Sequence, residues 1–205
     1  MYARGIEFVK PKGNNGHTRI ADTFYKVPSS SEDVNRANTV VVGSLLVQST
    51  SGSNAGVDGA STADTTGSAG RKALGLAATV CDPIGRPLPR NQIAATESGT
   101  VTILPARGNV FRCLEDGDGG VISDANSKGT YASLVISAPS SLSDAQTFTP
   151  NPEAEIKIDS SSISGGTASN RMIRLLGADP AVQYKPGEPR AFLFEFTDEF
   201  SEAIS

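Results

Sequence analysis

Apolar and polar positions along this chain alternate in short bursts, not in helical stripes. Phe192-Leu193-Phe194-Glu195-Phe196 places three phenylalanines on one face of an extended segment and Leu193, Glu195 and Thr197 on the other. That period of two predicts a strand with Phe192, Phe194 and Phe196 in the core. Thr100-Val101-Thr102-Ile103-Leu104 alternates in the same way. Asn109-Val110-Phe111-Arg112-Cys113-Leu114 follows it across Ala106-Arg107-Gly108, and the pair reads as a hairpin. Residues 39–49 and 73–82 are more continuously apolar. The first run carries Gly43 in its middle, which suggests a bulge or a close backbone approach. The second ends in the turn Asp82-Pro83-Ile84-Gly85. Further strands are expected at 130–137, 154–158, 171–176 and 191–197. Helical periodicity is weak, and only 29–36 and 198–204 are candidates for short turns. About eight to ten short strands with turn signals between them predict a mainly β sandwich or barrel with little helix.

The pattern also divides the chain. Residues 5–10 and 18–27 read as extended segments flanking Gly13-Asn14-Asn15-Gly16, a hairpin-like arrangement, and Pro28-Ser29-Ser30-Ser31-Glu32-Asp33 has the composition of a linker. Residues 1–36 are therefore expected to form an N-terminal arm or extra hairpin, 37–197 a β-rich domain, and 198–205 an acidic tail. Residues 50–70 are polar and of low complexity. They offer too little apolar surface to offset the entropy of ordering and are expected to form a mobile loop or one fixed only by a partner.

Composition sharpens this picture. The chain has 205 residues, long enough for one large β domain, but only 38% are apolar and 6% aromatic. A core built from that is thin, so oligomerisation is expected to contribute by burying apolar area that one chain leaves wet. The net charge is −4, with no basic stripe to neutralise phosphates, which argues against a nucleic-acid partner. Residues 1–36 sum to +2 and residues 191–205 to −4, so the two ends can attract one another. No apolar run approaches the ~18 residues of a membrane helix, and no apolar stretch follows Met1-Tyr2-Ala3-Arg4-Gly5; a cytoplasmic origin without a membrane partner is expected. In that compartment Cys81 and Cys113 are expected to be reduced and buried.

Equipment for chemistry is sparse. His17 is the single histidine, lies between basic residues, and has no metal-ligand spacing around it. A Ser-His-Asp arrangement would have to recruit it, and no Gly-x-Ser-x-Gly elbow presents a serine. Gly67-Ser68-Ala69-Gly70-Arg71-Lys72 lacks the Gly-Lys-Ser/Thr ending of a phosphate loop. Glu115-Asp116-Gly117-Asp118-Gly119-Gly120 is the best place for a hard cation, but its spacing departs from that of an EF-hand, and a solvated turn is the expectation. No cofactor and no enzymatic activity are expected.

A family resemblance rests on the order of these runs. Val40-Val41-Val42-Gly43-Ser44-Leu45-Leu46-Val47 comes first, then Leu74-Gly75-Leu76-Ala77, then Thr100-Val101-Thr102-Ile103-Leu104-Pro105, then Val110-Phe111-Arg112-Cys113 before an acidic Gly-rich turn. Arg171-Met172-Ile173-Arg174-Leu175-Leu176-Gly177-Ala178-Asp179 and residues 190–196 supply a closing pair of strands. Over residues 37–197 the chain resembles the small β-rich decoration (cement) proteins of tailed bacteriophages. The resemblance implies a compact, β-tulip-like barrel or sandwich on the outside of an icosahedral capsid. It implies the major capsid protein and further copies of the chain, as a homotrimer, for partners, and no catalytic residue. On that reading the arm residues Ile6, Phe8, Val9, Phe24 and Tyr25 are expected to lie on a neighbour by strand addition or groove packing. The alternative is a carbohydrate- or receptor-binding β module of a phage tail or adhesin, which the scarcity of aromatic residues disfavours.

Overall fold

A computed structural model of the chain describes residues 6–11, 24–33, 39–49, 56–65, 71–89, 91–118, 120, 122–124, 127–136, 156–163, 171–183 and 189–201. In chain order the strands are β1 (Ile6–Pro11), β2 (Tyr25–Val27), β3 (Val40–Val41), β4 (Leu45–Gln48), β5 (Val57–Gly59), β6 (Ala73–Cys81) and β7 (Gln92–Ile93). They continue as β8 (Gly99–Pro105), β9 (Asn109–Leu114), β10 (Lys128–Ala132), β11 (Leu134–Ile136), β12 (Ile156–Ile158), β13 (Ile173–Ala178) and β14 (Ala191–Phe196). Short 3₁₀ turns at Thr62–Thr65 and Ser160–Ser162 interrupt them. The fold is thus mostly β and largely free of helix.

Four antiparallel sheets pack together among the described residues. The first runs β1-β9-β14-β13-β10, the second β2-β8-β6-β4-β5, and the ribbons β3-β7 and β11-β12 complete the set. The second sheet is covered on both faces. Leu45, Val47, Ala73 and Leu76 look toward the first sheet, whereas Leu46, Leu74, Ala77, Val101 and Ile103 look the other way, toward Val40 and Ile93 of the β3-β7 ribbon. A strand wrapped in this way has no polar face, which is why Ala73-Leu74-Gly75-Leu76-Ala77 reads as a run and not as an alternation. The sheet curls so far that β2 and β5, its two edges, come within 8 Å between Cα atoms, yet they share no ladder. No sheet closes into a true barrel.

The larger core lies between the two five-stranded sheets. Phe111 stacks on Phe194 at 5.8 Å between ring centroids and meets Phe196 edge-on at 5.4 Å. Phe192, Phe194 and Phe196 all point inward, as their alternation requires. Each such pair adds about 0.5–1.5 kcal/mol beyond the area buried. Leu134, Ile156 and Ile158 of the β11-β12 ribbon, with Met172, close one side of this core.

Several strands go where local pattern does not send them. β8 and β9 do not pair as a hairpin: β8 belongs to the second sheet and β9 to the first, so residues 106–108 form an arch between layers. Ala106 is fully buried there and its N–H donates to Leu74 O at 2.9 Å, while Asn109 Nδ2 donates to Pro105 O at 2.8 Å. Residues 39–49 are not one strand. Gly43, at φ +88°, turns the chain from the β3-β7 ribbon into β4. Residues 130–136 likewise change sheets at Ser133, between β10 and β11, as strands do at the corners of packed sheets. The two N-terminal segments are not a hairpin either. β1 pairs with β9 and β2 with β8, in different sheets. In each case the alternation is real, but it identifies a strand without naming its partner.

Gly75 shows how tightly the second sheet is built. A Cβ on it would sit 2.0 Å from Leu104 O and 2.6 Å from Ile103 Cγ2, whereas Gly108, at φ +81°, has open space around it. Gly75→Ala is expected to lower stability by at least about 2 kcal/mol, because neighbouring backbone has to move. Gly108→Ala is expected to cost about 1 kcal/mol from its left-handed conformation alone. Urea unfolding of the two variants checks this; equal midpoints would contradict it.

Candidate functional site

The first described residues supply an edge strand to each five-stranded sheet. In β1, Ile6 sits opposite Cys113 and is buried in the larger core. Phe8 lies edge-on to Phe111 at 6.2 Å, but it and Val9 are each 39% exposed. The register slips between Phe8 and Lys10, so Val9 is an extra residue, a bulge of the kind that marks sheet edges. In β2, Val27 is buried in the smaller core and Tyr25 packs against it, while Phe24, just before the strand, is 52% exposed. Of the expected arm residues, then, Ile6 is seated in the chain's own core, Tyr25 is half-buried, and Phe8, Val9 and Phe24 offer apolar surface. The pattern places them on two different sheet edges. At the other end, Phe200 is buried in the larger core and Ala73 N–H donates to Phe200 O at 2.7 Å, so residues 198–201 are tied into the fold.

A charged network missed by the sequence reading runs across the outer face of the first sheet. Glu7 lies opposite Arg112 and accepts from its Nε at 2.9 Å, and Arg112 Nη1 reaches Asp179 Oδ2 at 3.0 Å. The Glu7 hydrogen bond, joined by that of Asp179, holds the Arg112 guanidinium more firmly protonated. Alternation along Ile6-Glu7-Phe8 puts Glu7 on the polar face, but nothing local names Arg112, 105 positions on, as its partner.

A second cluster lies within residues expected to be an unstructured loop. Val57–Gly59 is an edge strand, and Thr65 Oγ1 donates to Leu134 O at 2.7 Å from the following 3₁₀ turn. Arg71 fixes both pieces: its Nη1 bonds Asp58 Oδ2 at 3.2 Å and its Nε bonds Asp64 Oδ1 at 2.8 Å. Asp58 is 1% exposed and Asp64 7%. Burial pushes the Asp64 carboxyl up, but hydrogen bonds from Arg71 and from Ser61 outweigh it and hold the group below the ordinary aspartate value. Composition reads residues 50–70 as low-complexity because it counts each aspartate as solvated; paired with Arg71, Asp58 and Asp64 order the segment. Residues 50–55 and 66–70 lie outside the described residues.

The acidic turn after β9 is organised by hydrogen bonds. Glu115 is fully buried, and its carboxylate accepts from Arg190 N at 3.0 Å and Ile122 N at 2.8 Å. Asp116 Oδ1 accepts from Ser160 Oγ at 2.7 Å, Ser160 N at 3.0 Å and Asp118 N at 3.2 Å. Burial raises the Asp116 carboxyl, but these donors bring it below its ordinary value. Asp124 pairs with Arg190, and Asp118 is exposed. Among the described residues no group of three or more His, Cys, Asp or Glu side chains is placed to hold a metal.

Cys81 and Cys113 are both buried and form no disulfide, one lying in each five-stranded sheet. Cys113 Sγ lies 3.1 Å from Ile156 O. His17 lies outside the described residues. No helix among the described residues is long and apolar enough to cross a membrane. No protein-family model matches the chain, and no curated protein or solved structure does either.

Two outcomes follow from these clusters. Arg71→Met removes the guanidinium bonded to the buried Asp58 and Asp64 carboxylates and is expected to cost about 3–5 kcal/mol at pH 7. Because the folded Asp64 value is depressed, the stability it supplies is full above its unfolded value, near pH 4, and is lost as pH falls through the folded one. The gap between R71M and the unaltered chain is therefore expected to narrow below about pH 4 in urea titrations at a series of pH values, and a gap that widens there contradicts the assignment. Asp116→Ala is expected to lower stability by about 1–3 kcal/mol through its lost hydrogen bonds, by the same amount with calcium or with chelator. A melting temperature that rises with calcium only when Asp116 and Asp118 are intact would instead make the turn a cation site.

Proposed function

We propose that this chain is a structural virion protein that binds the outside of an icosahedral phage capsid and cements neighbouring capsid subunits. Its work is done by area and shape. The major capsid protein and further copies of the chain are its partners, and the assembled particle is its location.

The observation that carries the reading is the exposed apolar surface at the N-terminal sheet edges: Phe8 and Val9 on β1, and Phe24 before β2. Edge strands with exposed apolar side chains are places where another chain adds by main-chain hydrogen bonding and side-chain docking. Both edges are rooted in cores, through Ile6 and Val27, so a pull on the edge is transmitted to the whole fold. A protein that binds the assembled shell, and not the separated subunits, stabilises assembly by mass action. The run order that resembles cement proteins supports the same reading.

Deleting residues 1–36 would remove Ile6 and Val27 from the two cores and test folding instead of binding. Phe8→Ser, Val9→Ser and Phe24→Ser together change partly exposed positions, with loss of the edge-on contact of Phe8 with Phe111. The triple variant is expected to remain folded with a cooperative but somewhat lowered melting transition, and to bind purified phage shells at least about tenfold more weakly, a loss of about 1.4 kcal/mol. Undiminished shell binding by a folded triple variant, or glycan binding with no affinity for shells, would contradict the proposal.

A further inference from the structure

β11 and β12 make a two-stranded ribbon, and both of its outer edges are engaged. Along β12, Ile158 O accepts from Asp116 N at 2.9 Å, and Cys113 Sγ lies 3.1 Å from Ile156 O. Along β11 the edge is closed by hydroxyls. Thr62 Oγ1 accepts from Ile136 N at 2.9 Å and donates to Ile136 O at 3.1 Å. Thr65 Oγ1 accepts from Leu134 N at 3.3 Å and shares its proton between Leu134 O at 2.7 Å and Thr62 O at 2.8 Å. An N–H and a C=O on every second residue are what an edge strand offers to a neighbouring strand. Here two side chains take the neighbour's place. The geometry allows it because residues three apart in a 3₁₀ turn eclipse one another about 6 Å apart along the axis. Alternate residues of a strand are about 6.6 Å apart, so Thr62 and Thr65 meet Ile136 and Leu134 one for one.

We infer that the Thr62–Thr65 turn is a cap seated on a strand-addition site, and that β11, once uncapped, takes an extended peptide with apolar side chains at alternate positions. The strand on the other side of β11 sets what fits. Ile156 and Ile158 of β12 stand opposite Ile136 and Leu134, with Lys157 opposite Val135. The cap is pinned as well as bonded. Asp64, next to Thr65, accepts from Arg71 Nε at 2.8 Å, and Asp58 of the preceding strand accepts from the same guanidinium at 3.2 Å. An incoming strand has to displace both hydroxyls, so the folded chain keeps this edge shut, as edges liable to pair with other chains need to be. The site lies apart from the β1 and β2 edges of the proposed function. Its test uses no capsid, so either can fail while the other stands.

Thr62→Val removes the exposed hydroxyl, Thr65→Val with it removes both, and Thr62→Ser with Thr65→Ser keeps both. The probe is a fluorescein-labelled synthetic peptide of sequence Glu155-Ile156-Lys157-Ile158-Asp159, read by fluorescence anisotropy, beside amide hydrogen exchange at Leu134 and Ile136. T62V is expected to speed exchange at Ile136 at least about fivefold, the effect of one lost hydrogen bond. The double valine variant is expected to speed it at both amides and to bind the peptide at least about tenfold more tightly than the unaltered chain does. The double serine variant is expected to match the unaltered chain in both readings. If the double valine variant does not fold, peptide binding by T62V decides in its place. Unchanged exchange at Ile136 in T62V, or a folded valine variant with no more affinity for the peptide than the unaltered chain, overturns the inference.

Discussion

The fold depends on one sheet whose middle is packed on both faces. The β2-β8-β6-β4-β5 sheet lies against the first sheet on one side and curls around a second core on the other. Over Ala73–Ala77 its central strand is buried throughout, and at Gly75 it cannot carry even a Cβ, because Leu104 O lies where that atom would be. Polar groups are displaced to the ends and rims, where Arg71 with Asp58 and Asp64, and the buried Glu115, tie loops to the layers. A thin apolar composition suffices for such a fold because several of its apolar residues lie in two-sided strands.

The same constraint explains the role of the chain's ends. Two cores need edge strands to finish them, and the N-terminal segment supplies one to each sheet through β1 and β2, while Phe200 closes the larger core from the other terminus. What look like appendages are therefore parts of the wall. Among the described residues, Phe8, Val9 and Phe24 leave apolar surface at these two edges, and Ile84, Leu114 and Val182 leave it elsewhere.

Much of the architecture was legible in the residues. The period of two in Phe192-Leu193-Phe194-Glu195-Phe196 located both strand and core face, and β13 and β14 do pair as neighbours. The turn at Asp82-Pro83-Ile84-Gly85 follows β6 directly, and Asp82 Oδ1 accepts from Ile84 and Arg86 N–H groups. What local pattern could not supply was pairing. Residues 100–114 look like a hairpin because two strands flank three turn-forming residues, and an arch between sheets has the same local signature. Gly43 was a sign of irregularity, but only the packed β3-β7 ribbon shows that the irregularity is a change of sheet. Residues 57–65 escaped notice for a different reason: their order comes from charge pairing with Arg71, and composition cannot register a pair. Of the residues expected to contact a partner, Phe8, Val9 and Phe24 are exposed, but the burial of Ile6 beside them depends on β9, a hundred residues away.

The claim that these edges exist to join subunits is tested most directly by cryo-electron microscopy of phage particles that carry this chain. The account expects density for the two-sheet fold on the outer shell, astride the junctions between capsid subunits, with β1 and β2 facing a neighbour. Particles whose shells lack that density, or that hold the chain with both N-terminal edges turned to solvent, would contradict it.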